Sequence, residues 1–353
     1  MDTLTHTTLG ACLSHALLGK RIGRRALLYG AIVGNIPDLD ILANPWLDPL
    51  QRLQSHRGLS HSLPVLAAAS PPLAFLLKKL DPTTRPIPST LLTLTLFLIL
   101  ATHALLDACT VYGTLLLAPF SNHRFSWNLI FIIDPIFTLP LLAASILALW
   151  PAPLKKIVSL APKIALLISA FYLLNLHLIK SHIQTRLQHA RLTQNLVTLS
   201  APFTAPAFPG PFLWRQIIRA PEGCYIAYAS LLDPPSLRIT HTLLPFPLAL
   251  QEQWQHHPAI QRLQWFAQYH GYLSPDPDAP TSPPALIFHD LRFGEIRADP
   301  LATPTPENTY AIFRWQFVPR PDGTFELHTF PPTISRRHSF SILWQRLLGQ
   351  PVL

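Results

Sequence analysis

Within the first 181 residues, hydrophobic runs alternate with small clusters of Lys and Arg, and this alternation restricts the possible folds more than any other feature. The runs are Leu4 to Gly19, Ala26 to Ile36, Leu63 to Leu77, Leu91 to Leu106, Leu129 to Trp150 and Ile164 to Ile179. Spanning a bilayer takes about 20 apolar residues, or about 17 at the low end. Leu129 to Trp150, 22 residues without Lys or Arg, reaches that length alone. The other runs are shorter and would also suit a buried bundle in a soluble protein. Charge decides between the two: only 13% of the chain is charged, roughly half of the ~25% usual in soluble domains. We therefore expect membrane insertion. Gly30 and Gly34 form a GxxxG pattern on the second run, which lets helices approach closely in lipid. A cleaved signal peptide is not expected, because Lys20 to Arg25 follow the first apolar run instead of preceding it.

The two halves of the chain differ in charge. Residues 1–181 hold 14 of the 27 Lys and Arg against 7 acids, all of them Asp; residues 182–353 hold 13 Arg and 11 acids. The basic residues of the first half flank apolar runs and are not interleaved with aromatics, so they point to a membrane surface and not to nucleic acid. Lys20 to Arg25, then Lys78, Lys79 and Arg85, then Lys155, Lys156 and Lys163 occupy alternate connections. The positive-inside rule puts these three on the cytoplasmic side, leaving the intervening loops and the chain after residue 180 outside. Cys12, Cys109 and Cys224 are odd in number and widely spaced, which supports neither a disulfide framework nor a CxxC zinc site.

The rare polar residues of the first half fall at one depth. His6 lies at the outer end of the first helix; Asp38 and Asp40, in Pro37–Asp38–Leu39–Asp40, follow the second. His56–Arg57–Gly58–Leu59–Ser60–His61–Ser62 leads into the third. His103 and Asp107 are one helical turn apart on the fourth and face the same way, and Asp134 opens the fifth. Ionisable groups in a membrane cost a few kcal/mol each and are functional candidates by default. Imidazoles with carboxylates make the ligand set of zinc, manganese or iron, whose charge offsets their desolvation. Taken singly, His103–Asp107 also reads as a helix-packing hydrogen bond, Pro37–Asp38 as a helix stop, and His56 or His61 as a wet interfacial residue.

Asp2–Thr3–Leu4–Thr5–His6, Pro37–Asp38–Leu39–Asp40, the His56 to Ser62 block, His103–Ala104–Leu105–Leu106–Asp107 and Ile133–Asp134–Pro135 together resemble the YdjM family over about residues 1–180. These are bacterial inner-membrane proteins to which metal-dependent hydrolase activity is ascribed, LexA-binding in one branch. Ser60 stands where the family more often has Thr. The resemblance implies an inner-membrane location and a metal site.

After about residue 195 the pattern changes. Pro202, Pro206, Pro209 and Pro211 mark an extended entry; Trp214 to Arg219 and Tyr225 to Ala229 alternate as strands. Leu250 to Tyr269 has helical spacing. Tyr310 to Val318, Pro321–Asp322–Gly323 and Thr324 to Phe330 read as a hairpin. His289–Asp290 reads as a strand-end turn, with a catalytic pair as the alternative.

The expected architecture is therefore mainly α: a polytopic transmembrane bundle of about five to six helices (1–181), a linker (182–199), and a small water-facing α+β domain (200–353). The expected metal ligands are His6, Asp38, Asp40, His56, His61, His103 and Asp107, holding a divalent ion, zinc before manganese. Arg57 is expected to clamp an anionic group, with Asp134 beside it in the reaction. The expected function is hydrolysis of a phosphoester or lipid-linked bond, with membrane lipid as partner. The alternative is a non-catalytic metal-binding scaffold whose C-terminal domain binds a protein. A transporter is disfavoured because the acids collect at one side of the bundle instead of running through it.

Overall fold

Caps and prolines set the helix boundaries. In the computed structural model, which describes residues 1–150, 155–208, 210–234, 236–277, 279, 285–297, 303–320, 325–329 and 336–350, the Asp2 carboxylate accepts from the Thr5 N–H at 3.0 Å and opens α1 (Thr3–Ile22). Gly23, at φ 59°, ends it and turns the chain into α2 (Arg25–Val33). Pro37 then starts a 3-10 helix, Pro37–Trp46, bent by 42° from α2. After α3 (Pro49–Ser55) and a single 3-10 turn (Leu59–His61) come α4 (Leu63–Leu80), α5 (Ser89–Ala108), α6 (Pro135–Leu149) and α7 (Lys155–Thr193). The chain divides into two compact units: Met1–Leu47 with Gln54–His177, and Asp48–Leu53 with Leu178–Leu353.

In the first unit, Leu18, Leu66, Leu92, Leu96, Ile99 and Leu100 build the core between α1, α4 and α5. Leu92, Leu96, Ile99, His103 and Asp107 recur every three or four residues, so the two polar residues continue the buried stripe of α5. Helices α1 and α2 meet at glycines: a Cβ at Gly30 would sit 2.1 Å from the Gly10 carbonyl oxygen, and one at Gly34 would sit 2.8 Å from that of His6. This close approach is what the GxxxG pattern allows.

Among the described residues, three helical stretches, Leu63–Leu80, Ser89–Ala108 and Ser159–Thr193, are long and apolar enough to cross a membrane. The bent pair Arg25–Val33 and Pro37–Trp46 adds a fourth if it counts as one broken span. The run that looked longest in the sequence gives only the 15-residue α6. Its first residues are not helical, because Asp134 is extended and caps the helix while Pro135 takes the first position. Leu129 and Ile130 donate instead to the Cys109 carbonyl, at 2.7 and 3.2 Å.

The second unit contains two four-stranded antiparallel sheets. β1 (Phe203–Pro206), β2 (Leu213–Ala220), β3 (Gly223–Ser230) and β4 (Thr242–Pro245) pair in chain order, as do β5 (Gly271–Pro275), β6 (Leu286–Arg297), β7 (Thr309–Pro319) and β8 (Phe325–Thr329). Pro258 splits the helical stretch before β5 into α8 (Leu248–Trp254) and α9 (Pro258–Phe266), and α10 (Arg336–Leu347) follows β8. The expected hairpin pairs as β7 with β8, its Pro321 to Thr324 turn lying outside the described residues, as does Pro209. His289 and Asp290 lie inside β6, fully buried, and not at a strand-end turn. Asp290 is paired with Arg292, and burial pushes His289 down to about 3, far from the near-neutral pKa of a general base.

The segment 182–199, expected as a linker, is helical as far as Thr193. Ile183, Leu187 and Ala190 of α7 pack with Trp214, Ala227, Ala229 and Ile239 in one buried cluster. Burying each large aliphatic side chain contributes roughly 1.5–3 kcal/mol, a large part of the ~5–15 kcal/mol that stabilises a domain. A fragment 178–353 is accordingly expected to unfold cooperatively, and a fragment 200–353 to lose that transition, as followed by thermal circular dichroism. Equal midpoints for the two would show that the end of α7 is not part of this core.

Candidate metal centre

Asp107 is the most enclosed carboxylate of the first unit, with no exposed surface. Its Oδ1 accepts from His6 Nε2 at 3.2 Å and also faces the Met1 amino group. Its Oδ2 lies 3.0 Å from Arg57 Nε, 3.3 Å from His61 Nε2 and 3.6 Å from His103 Nε2. None of these meets hydrogen-bond geometry, so Oδ2 is a buried anionic oxygen without a donor. The Arg57 guanidinium supplies one positive charge there, and the uncommitted lone pairs of Oδ2 leave it able to take a cation as a further partner.

The histidines are aimed by their other ring nitrogen. His103 Nδ1 donates to the Gly34 carbonyl at 2.7 Å, an acceptor left free at the C-terminal end of α2. His61 Nδ1 donates to Ser60 Oγ at 2.9 Å, and Ser60 Oγ donates to Asp40 Oδ2 at 2.9 Å. With each Nδ1 committed as donor, the two Nε2 atoms present lone pairs to one another, 3.1 Å apart. Asp38 Oδ1 completes the group at 3.3 Å from His61 Nε2 and 3.5 Å from His103 Nε2.

Asp38, His61, His103 and Asp107 thus offer four donor atoms within 4.8 Å of one another. A tetrahedral ion with ligands at ~2.0–2.1 Å spaces those ligands about 3.3 Å apart, and the five distances from the two Nε2 atoms run from 3.1 to 3.6 Å. The donor set, its spacing and the orphaned Oδ2 all fit a divalent cation.

The remaining expected ligands surround this group. Asp38 and Asp40 sit two positions apart on a 3-10 helix, where successive side chains turn by about 120°, and so they diverge. Asp40 accepts from His56 Nδ1 at 3.0 Å, the Arg57 N–H at 3.0 Å and Ser60, which places it behind His61. His56 is held there with it. His6 stacks on the His103 ring, centroids 3.6 Å apart. Asp134 caps α6 through the Ile136 and Phe137 N–H groups and accepts from Tyr172 at 2.8 Å.

Arg57 is 5% exposed and adopts φ 58°, a left-handed conformation unusual for a side-chain-bearing residue. Its guanidinium pairs with Asp107, donates to Thr110 Oγ1 at 2.9 Å and lies over the Tyr112 ring. It therefore braces one of the four candidate donors. Ser60, Thr110, Tyr112, Tyr172 and the Gly34 carbonyl were not read as site residues from the sequence. The spacing of Thr110, three residues after Asp107, carries a signal; that of Tyr112 and Gly34 carries none.

Protein purified gently in detergent is expected to carry a transition metal by elemental analysis. His61→Ala and Asp107→Ala should lose it. Ser60→Ala, which releases only the outer hydrogen bond of His61, should weaken it by about 10–100-fold. Full occupancy in Asp107→Ala would exclude this centre.

No curated protein and no solved structure matches the chain. The family model described as YdjM inner membrane protein matches residues 1–181, the part that holds every residue of the centre, and the chain belongs to that family.

Proposed function

We propose that the protein is a membrane-bound, metal-dependent hydrolase of phosphoester or lipid-linked substrates. The supporting observation is the unequal enclosure of the four donors: the side chains of His61, His103 and Asp107 are sealed, whereas that of Asp38 is 24% exposed. Catalytic centres keep one side open for water or substrate, and structural ones close it. Zinc is the ion that two imidazoles and two carboxylates suit best, manganese the next. A divalent ion held there supplies Lewis acidity and lowers the pKa of water toward neutrality.

The chain's own contribution is positional. Gly34 and Ser60 fix the two imidazoles, and Arg57, through Asp107, sets the orientation of the carboxylate. Three carboxylates, Asp38, Asp40 and Asp107, stand against the Arg57 guanidinium and the Met1 amino group, and this excess of negative charge favours a cation over a bare anionic substrate. Such a site recruits an anionic ester only when loaded. One observation favours the alternative, a non-catalytic metal-binding scaffold: Arg57 is engaged by its ion pair with Asp107 and its hydrogen bond to Thr110 instead of standing open to a substrate.

The two readings separate on turnover. Metal-loaded protein is expected to hydrolyse bis(p-nitrophenyl) phosphate or phosphatidylglycerol vesicles, and His103→Ala to abolish this. Arg57→Lys keeps a cation beside Asp107 and loses the planar fork, so it should retain the metal while turnover falls by roughly 100-fold. No hydrolysis by fully loaded protein would leave the scaffold.

We infer from the three basic connections that the centre faces the periplasmic or extracellular side of the inner membrane, as does the C-terminal unit. A phosphatase reporter joined after residue 350 is expected to be active outside the cytoplasm, and activity of a cytoplasm-only reporter at the same point would reverse the orientation.

A further inference from the structure

At the end of the bundle remote from the metal centre, the C-terminal turn of α1, the end of α6 and the start of α7 line a cavity of about 360 Å³. Gly19, in its wall, is thirteen residues along α1 from His6, about 20 Å at 1.5 Å per residue. The cavity is lined by Lys20, Arg24 and Lys163 and by no acid. None of the three forms an ion pair among the described residues; Arg24 donates to the Trp150 carbonyl at 2.8 Å. Three cations converge here with no acid among the described lining residues to neutralise them.

The floor is a histidine. His15 is 7% exposed, and its Nδ1 is buried without a partner. With no acceptor for an Nδ1 proton, the proton belongs on Nε2, which makes that nitrogen the donor on the cavity side. Gly19 leaves room for it: a Cβ there would lie 2.9 Å from Nε2 and Cδ2 of the ring. Ser159 adds a hydroxyl to the same wall.

We propose that this cavity binds a phosphate group carried on a small polar body, of the kind found in a phospholipid headgroup or a soluble phosphate ester. Three cations match a phosphate better than a singly charged carboxylate. The volume equals about twelve waters at ~30 Å³ each, which is more than a bare ion needs. The residues also fall where the basic connections place the cytoplasmic headgroup layer. This site is separate from the metal centre in position, charge and ligand.

The test is the thermal midpoint of the full chain in neutral detergent with added phosphatidylglycerol, phosphatidylcholine or inorganic phosphate. A bound ligand raises the midpoint in proportion to its occupancy. Phosphatidylglycerol is expected to raise it by several degrees and phosphatidylcholine not at all. The triple variant Lys20→Gln/Arg24→Gln/Lys163→Gln should lose the shift, and Lys78→Gln/Lys79→Gln, which removes two cations from another connection, should keep it. Gly19→Ala changes no charge and pushes on the His15 ring; it should weaken the response about tenfold, and it decides the matter if the triple variant does not fold. An equal shift with inorganic phosphate would make the ligand a soluble phosphate and not a lipid. The proposal fails if the triple variant or Gly19→Ala keeps the full shift, if Lys78→Gln/Lys79→Gln loses it equally, or if phosphatidylcholine acts as well as phosphatidylglycerol.

Discussion

A carboxylate with no exposed surface, at the end of an apolar helix, is the constraint on which the first unit turns. Desolvating an isolated anion costs several kcal/mol even after relaxation, and Asp107 has no exposed surface over which solvent could share that cost. The chain surrounds it with His6, His61, His103 and Arg57. These come from α1, the turn before α4, α5 itself and the loop after α3, so one buried oxygen pair ties four separate stretches of sequence to a single point. The left-handed backbone at Arg57 is a local cost that this arrangement offsets, since it directs the guanidinium to Asp107 and the Arg57 N–H to Asp40.

The glycines make that convergence possible. Side chains of ordinary size between α1 and α2 would hold the helix axes some 8–10 Å apart. Gly10, Gly30 and Gly34 let the backbones touch, so the end of α2 reaches far enough for the Gly34 carbonyl to take the His103 proton. The same contact carries His6 onto the face of His103. A motif that lipid-facing helices use to associate therefore also sets the tautomer of a candidate ligand.

Much of this was legible in the sequence, and what was not has specific physical causes. His103 and Asp107 share a face because the helix has 3.6 residues per turn, and both became ligand candidates on that ground alone. Asp38 and Asp40 were taken together because they are alike and adjacent; their divergence depends on a 3-10 helix, whose tighter turn no composition reveals. Leu129 to Trp150 counted as one long apolar run, since hydropathy does not see that Asp134–Pro135 caps a helix in its middle. The 182–199 segment looked like a linker because Ile183, Leu187 and Ala190 stand among polar residues, and their common helical face has meaning only against Trp214. Arg57 was read as reaching outward from its neighbours in sequence, whereas its partners Asp107, Thr110 and Tyr112 lie some fifty residues on.

The distribution of polar groups along the bundle also limits what the centre can do. Between the histidines and the basic end, the buried hydroxyls of Thr8, Ser70, Thr95 and Ser145 donate to carbonyls of their own helices, four residues back. Bonds of this kind commit the hydroxyl proton locally; of the four, Ser145 also meets a neighbouring helix, at Cys12 Sγ, 3.4 Å away. Ser14 and Ser169 have no partner among the described residues. Conducting a proton or a cation requires successive groups, each within hydrogen-bond reach of the next, whereas these hydroxyls are turned back onto their own turns. The fully buried acids cluster at one end and the unpaired cations at the other, where Asp81 is already taken by Arg25, with an apolar middle between them. A bundle organised in this way keeps two opposite charges apart, and it suits local chemistry at each end better than transport from one to the other.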